Sequence, residues 1–138
     1  MADLIALFAL AVLFGGMVFF AAILAPLVFT RLPGEVAGGF IRAVFPVYYL
    51  FVLINAALAA VALAFDLPID AAVMAAVAAL TLWLRQGLMP RINRLSDAVK
   101  AGDASAKPGF DAGHRLSVIL NMAQMLVVAA VLARWALV

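Results

Sequence analysis

His114, Ser117, Asn121 and Gln124 follow one another at spacings of three, four and three. At 100° per residue they fall within an arc of about 80° on a helix. The residues around them are mostly Leu, Val, Ile, Met and Ala, so this is one polar stripe on an otherwise apolar helix. In hydrocarbon, a stripe facing lipid would leave its amides without partners, which is costly. The stripe must therefore face other protein. Two further segments offer polar groups. Tyr48 and Asn55 lie seven residues apart, with Ala59 and Ala62 continuing their face, and Thr81 and Arg85 lie four apart. Amides, hydroxyls, one imidazole and one guanidinium bind by hydrogen bonds and charge. The candidate ligand-binding set is Arg85, His114, Ser117, Asn121, Asn55 and Tyr48.

Arg85 poses the sharpest question, because arginine is among the least tolerated side chains in hydrocarbon. It sits five residues before Pro90, about 7.5 Å from the end of its apolar run at 1.5 Å per residue. A long side chain can snorkel to water over that distance. Turned inward, it would meet His114, Ser117 and Asn121 at similar depth, and its five donors would suit an anionic headgroup or solute. The inward orientation is the one expected. Asn121 would then orient the site, and His114 would make it sensitive to pH near neutrality. The apolar runs contain no acidic residue, so no intramembrane ion pair is expected for Arg85.

No enzyme constellation is visible: no nucleophile–base pair, no carboxylate pair within reach, no HExxH and no phosphate loop. The expectation is a protein that is not an enzyme and carries no cofactor and no metal. Cysteine is absent, which excludes disulfides, zinc–thiolate sites and iron–sulfur clusters.

The elements that position these groups follow from composition. Hydrophobic residues make up 70% of the 138, and charged residues 12%. A soluble domain is about half apolar and a quarter charged. The apolar residues form four runs, roughly 4–29, 43–65, 71–89 and 116–135, each near the ~20 residues that cross ~30 Å of hydrocarbon. The expected fold is an all-α membrane protein, a single four-transmembrane-helix bundle over residues 1–138. The first run is expected to be an uncleaved span rather than a signal peptide, because its start carries Asp3 and no Lys or Arg and it is about twice the length of a signal core.

Lys and Arg set the direction. Arg31, Arg42, Arg91, Arg94, Lys100, Lys107 and Arg115 fall on one side, and Arg134 on the other. The positive-inside rule puts both termini on the non-cytoplasmic side of the inner membrane. A net charge of +2 is too small to suggest nucleic acid. Partners are then membrane lipids, a second copy, or a larger membrane complex. Beyond the third run, Ile92, Leu95 and Val99 repeat at helical spacing among Arg91, Arg94, Asp97 and Lys100. A short amphipathic helix near the headgroups is expected past a kink at Pro90. The stretch AGDASAKPGFDAG then reads as a flexible turn. Asp70 is expected to cap the third helix. Pro26 should bend the first. Ala-rich faces such as AALAAVALA and AAVMAAVAA allow close helix packing.

The motifs GGMVFF, LPGEVAGGFIRAVFPVYY, LWLRQGLMPRINRL and FDAGHRLSVILN resemble the transmembrane-protein-205-like family, an integral membrane set with a domain of unknown function. The resemblance spans most of the chain. It rests on Phe45–Pro46–Tyr48, on Arg85–Pro90–Arg91 and on His114–Ser117–Asn121. It implies a four-helix membrane protein and little chemistry; a eukaryotic relative's link to drug tolerance hints at export or trafficking. Three functions compete. The first is binding or moving a small solute or lipid headgroup at the polar cluster, in an oligomer if it transports. The second is a non-catalytic accessory subunit of a larger complex. The third is a haem- or metal-linked redox protein, which the single histidine serves poorly even with Met122 and Met125.

Overall fold

A computed structural model describes residues 1–137. Four helices account for nearly all of them: α1 (Ala2–Arg31), α2 (Gly34–Leu63), α3 (Pro68–Lys100) and α4 (Ala104–Ala136), each long and apolar enough to cross a membrane. They pack antiparallel in chain order, α1 on α2, α2 on α3, and α4 closing against both α1 and α3. Asp3, Asp66 and Trp135 line one shallow cavity, so the described ends of α1 and α4 share one end of the bundle, the terminal end, with the α2–α3 turn. The opposite, basic end carries most of the Lys and Arg residues.

The connections are shorter than the sequence suggests. RLPGEVAGGFIR is helical from Gly34 onward, and only Leu32 and Pro33 break the chain. The expected flexible turn AGDASAKPGFDAG is also corrected. Its turn is Ala101 to Asp103, with Gly102 at φ +97°, a conformation that suits glycine. Asp103 then restarts the chain by accepting from the Ser105 amide at 3.0 Å. Pro108 follows in the first turn of the long helix from Lys107, where its missing N–H is no loss. The 33 residues of α3 and of α4 give rods of about 50 Å, about 20 Å more than the hydrocarbon requires. The two form a hairpin that extends past the apolar runs at the basic end.

The segment Met89–Lys100 continues α3 without a break. Its apolar side turns toward α4, where glycines make room. A Cβ on Gly113 would sit 3.0 Å from Ile92, and one on Gly109 would sit 3.3 Å from Leu95. The Arg42 guanidinium ties the outer side of this segment to α2, donating to both Asp97 oxygens at 2.5 and 3.1 Å.

Prolines shape the helices differently according to position. Pro26 and Pro90 each follow a π-turn, Phe20–Leu24 and Leu84–Leu88. Proline lacks the donor for its i−4 carbonyl and its ring presses on that turn. Widening the preceding turn to i→i+5 bonding relieves both, and such bulges recur at functional sites. The expected disturbance at Pro26 is thus taken up as a π-turn.

Asp70 is not a cap. The α3 N-cap is Leu67, with no side-chain bond. Asp70 is instead 4% exposed and faces Arg134 of α4, Oδ1 to Nε at 3.2 Å. The pair joins the buried Asp70 to an Arg134 side chain that is 64% exposed, and it ties α3 to α4 at the terminal end.

Candidate functional site

The burial pattern of α4 matches three of the four stripe residues; His114 is exposed. Ser117, Asn121 and Gln124 are buried, followed by Val128 and Val131 on the same face. Each amide is held in one orientation. Asn121 Nδ2 donates to the Ser117 carbonyl at 2.8 Å and to the Tyr49 hydroxyl at 3.2 Å. Gln124 Nε2 donates to Thr81 Oγ1 at 2.9 Å and to the Val77 carbonyl at 3.2 Å. Backbone carbonyls only accept, so both amides must point their nitrogen inward to these partners. Thr81 in turn donates to Val77 O at 2.8 Å. Asn121 therefore links α4 to α2, and Gln124 links α4 to α3.

This orientation leaves two oxygens bare. Asn121 Oδ1 and Gln124 Oε1 are buried and have no hydrogen-bond partner. A buried acceptor left unmade costs about 1–3 kcal/mol. Their surroundings differ. Gln124 does not line the cavity beside Asn121; its amide nitrogen is bonded to Thr81 and Val77 of α3. Asn121 lines a cavity of about 170 Å³ between α1, α2 and α4.

That cavity gathers four of the six sequence candidates: Tyr48, His114, Ser117 and Asn121. Its walls are otherwise apolar, with Phe20, Phe45 and Met122 among them. Phe20 and Tyr48 stack at 4.2 Å, and Phe45 meets Phe20 edge-on at 5.4 Å. His114 is exposed and stands at the rim. Ser117 bonds its own helix, donating to His114 O at 2.8 Å. A smaller space of about 50 Å³ adjoins it, sharing Phe45, His114 and Ser117 and adding Arg42, Tyr49 and Asn93.

Two candidates lie elsewhere. Arg85 does not join His114, Ser117 and Asn121. It sits in the second π-turn, and its Nε donates sideways to the Pro46 carbonyl at 3.2 Å. It neither turns into the cavity nor hangs free; it staples α3 to α2 beside the proline. Asn55 also stays apart, donating to the Phe51 carbonyl of its own helix at 2.8 Å. Tyr49 is the residue that sequence reasoning misses. It belongs to the buried series Tyr49, Val52, Ala56, Ala59 and Leu63, spaced three and four apart. That periodicity marks the packed face of α2 more faithfully than the seven-residue repeat of Tyr48 and Asn55.

Among the described residues, no three His, Asp or Glu side chains stand close enough to hold a metal ion. The groups present make a hydrogen-bonding pocket with aromatic walls.

The fold and this pocket define an integral-membrane-type four-helix bundle with a polar seam at one end. The chain belongs to the family described as Domain of unknown function (DUF4149), whose model matches residues 8–101, from α1 to the α3–α4 turn. No curated protein and no solved structure matches it. The family match supports a membrane domain of unknown function and does not carry the transmembrane-protein-205-like name.

Proposed function

We propose that this protein binds a small solute or lipid headgroup in the cavity between α1, α2 and α4, to hold it or to pass it on. The observation that carries the reading is the cavity of about 170 Å³ itself, where Tyr48, His114, Ser117 and Asn121 are gathered among aromatic and aliphatic walls. A few polar groups set in an apolar concavity are the usual make-up of a small-molecule site. The distribution of charge favours an inner-membrane protein with both termini on the non-cytoplasmic side, because seven basic residues cluster at the opposite end. The basic hairpin would then lie in and beyond the cytoplasmic headgroups. The kinship with the transmembrane-protein-205-like family belongs to this proposal and rests on Phe45–Pro46–Tyr48, Arg85–Pro90–Arg91 and His114–Ser117–Asn121. No catalytic step is assigned.

The test is native mass spectrometry of the full chain extracted in a mild detergent. A one-to-one adduct that survives detergent exchange is expected. A spectrum of bare chain at every detergent concentration would count against a resident ligand. A reporter at the C-terminus, beyond the described residues, should read non-cytoplasmic; a cytoplasmic reading would reverse the orientation.

A further inference from the structure

Thr81, Asn121 and Gln124, polar side chains deep in the apolar runs, are buried between helices. Asn55 is only half-buried. It stands on the wall of a shallow groove along the outside of α1 and α2. Leu4, Phe8 and Val12 of α1 and Leu58 of α2 line the same groove and are 59%, 65%, 50% and 49% exposed. Asn55 also lies near the middle of its apolar run. Arg42 stands 13 residues before it and Asp66 11 residues after it, about 20 Å and 17 Å away at 1.5 Å per residue. Snorkelling belongs to long side chains, and this short one reaches neither interface.

An asparagine amide carries two N–H donors and an oxygen that accepts. One donor goes to the Phe51 carbonyl of its own helix at 2.8 Å. Among the described residues, no protein group accepts the second N–H or donates to Oδ1. Unlike the oxygens of Asn121 and Gln124, Asn55 Oδ1 is not sealed inside the bundle, so a partner outside can reach it. Hydrocarbon supplies neither donor nor acceptor, and an unmet amide there is costly. What satisfies it has to present a donor and an acceptor side by side at mid-membrane depth.

A second copy of this chain does so by symmetry. Two copies inserted the same way are related by a two-fold axis along the membrane normal, which sets each residue at the depth of its own counterpart. An amide is self-complementary: each Nδ2–H can donate to the other copy's Oδ1. The groove has no charged side chain on its wall, so two such faces meet without repulsion. We propose that the α1–α2 face is a dimer interface, in which Asn55 pairs with its counterpart in the second copy and Phe8, Val12 and Leu58 pack around the pair. Polar glue of this kind is what joins helices where lipid gives no hydrophobic drive. The groove shares no residue with the cavity between α1, α2 and α4, so the dimer does not depend on the binding reading.

The chain has no cysteine, so a single introduced thiol reports only its own neighbours. Leu58→Cys places one in the groove. Leu126→Cys places one on α4, at a residue 67% exposed and outside the groove. Under mild oxidation of native membranes, Leu58→Cys should form a disulfide-linked dimer and Leu126→Cys only background. In a dilution series of the purified full chain in phosphatidylcholine vesicles, Asn55→Leu should weaken the dimer about tenfold, the loss expected from two interhelical hydrogen bonds. The monomer of Asn55→Leu should melt like the parent, because Asn55 bonds no other helix. Crosslinking of Leu58→Cys no stronger than that of Leu126→Cys overturns the interface. A disulfide from Leu58→Cys to a protein of another mass overturns the second copy as occupant. Unchanged dimerisation of Asn55→Leu overturns the amide pair.

Discussion

The terminal half and the basic half of this bundle are built on opposite principles. In the terminal half, Ala6, Ala9, Ala56, Ala59 and Ala71 let the backbones approach, and the Asp70–Arg134 pair clamps α3 to α4. In the basic half, the first π-turn and the aromatic residues Phe20, Phe45 and Tyr48 border the cavity between α1, α2 and α4. Small side chains give close packing where lipid supplies no hydrophobic drive. Bulky rings leave space. The difference assigns close packing to one end and the cavity of the proposed binding site to the other. It also explains why α4's two bare amide oxygens differ: Gln124 lies toward the tight half and Asn121 borders the open one.

The largest effect that would break this contrast is loss of the clamp. Arg134→Ala leaves the nearly buried Asp70 carboxylate without a counter-charge and should cost about 2–3 kcal/mol. Adding Asp70→Leu should recover most of it, because an apolar pair of similar size needs no compensation. A thermal melt in detergent reads both. An unchanged melt for Arg134→Ala would mean that the terminal half does not depend on the pair.

Helix approach comes next. A Cβ on Gly16 would fall 2.5 Å from the Phe51 ring, whereas one on Gly15 meets nothing within 4 Å. Gly16→Val should destabilise by about 1–3 kcal/mol through overpacking, and Gly15→Val should remain close to the parent. Equal melting temperatures for the two variants would contradict the close α1–α2 contact. Smaller again is Gln124→Leu, which removes the bridge to Thr81 and should cost about 1 kcal/mol, in the range of interhelical hydrogen bonds.

The smallest effect is at the basic hairpin. The Arg42 hydrogen bonds hold the Asp97 carboxyl below its ordinary value, and Asp97 raises Arg42 in return. A lowered folded value means that this contact contributes fully above the unfolded value near 3.8. It is lost as pH falls through the folded value below that. Arg42 stays charged throughout. Hydrogen exchange over residues 89–100 should therefore quicken only under strong acid, and Asp97→Asn should give the same quickening at neutral pH. Exchange that is indifferent to both changes would show the hairpin held by Ile92 and Leu95 alone.

Much of this contrast is legible in the order of the residues. Long apolar runs announce four helices, and the spacing of Ser117, Asn121 and Gln124 shows which face of α4 turns inward. Other features depend on neighbours far away in sequence. Asp70 looks like a cap because it begins a helix; only the approach of Arg134 makes it a clamp. Arg85 matches His114 in depth, but depth carries no azimuth, and the π-turn that holds it points it at Pro46. Gly109 and Gly113 look like loop residues until Leu95 and Ile92 fill the space above them. Tyr49 sits beside the more conspicuous Tyr48, and its role follows from the α2 packing face, which short-range polarity does not reveal.

Asn121 and Gln124 allow the most direct test of the central claim that the open half is a binding site. Both carry a buried bare oxygen, both bridge helices, and only Asn121 lines the cavity. Native mass spectrometry of Asn121→Leu and Gln124→Leu, prepared alongside the parent in the same mild detergent, separates fold from site. Gln124→Leu should melt earlier and keep the parent's adduct, while Asn121→Leu should stay folded and lose it. Retention of the adduct in Asn121→Leu, or its equal loss from both variants, would contradict a binding site in the open half.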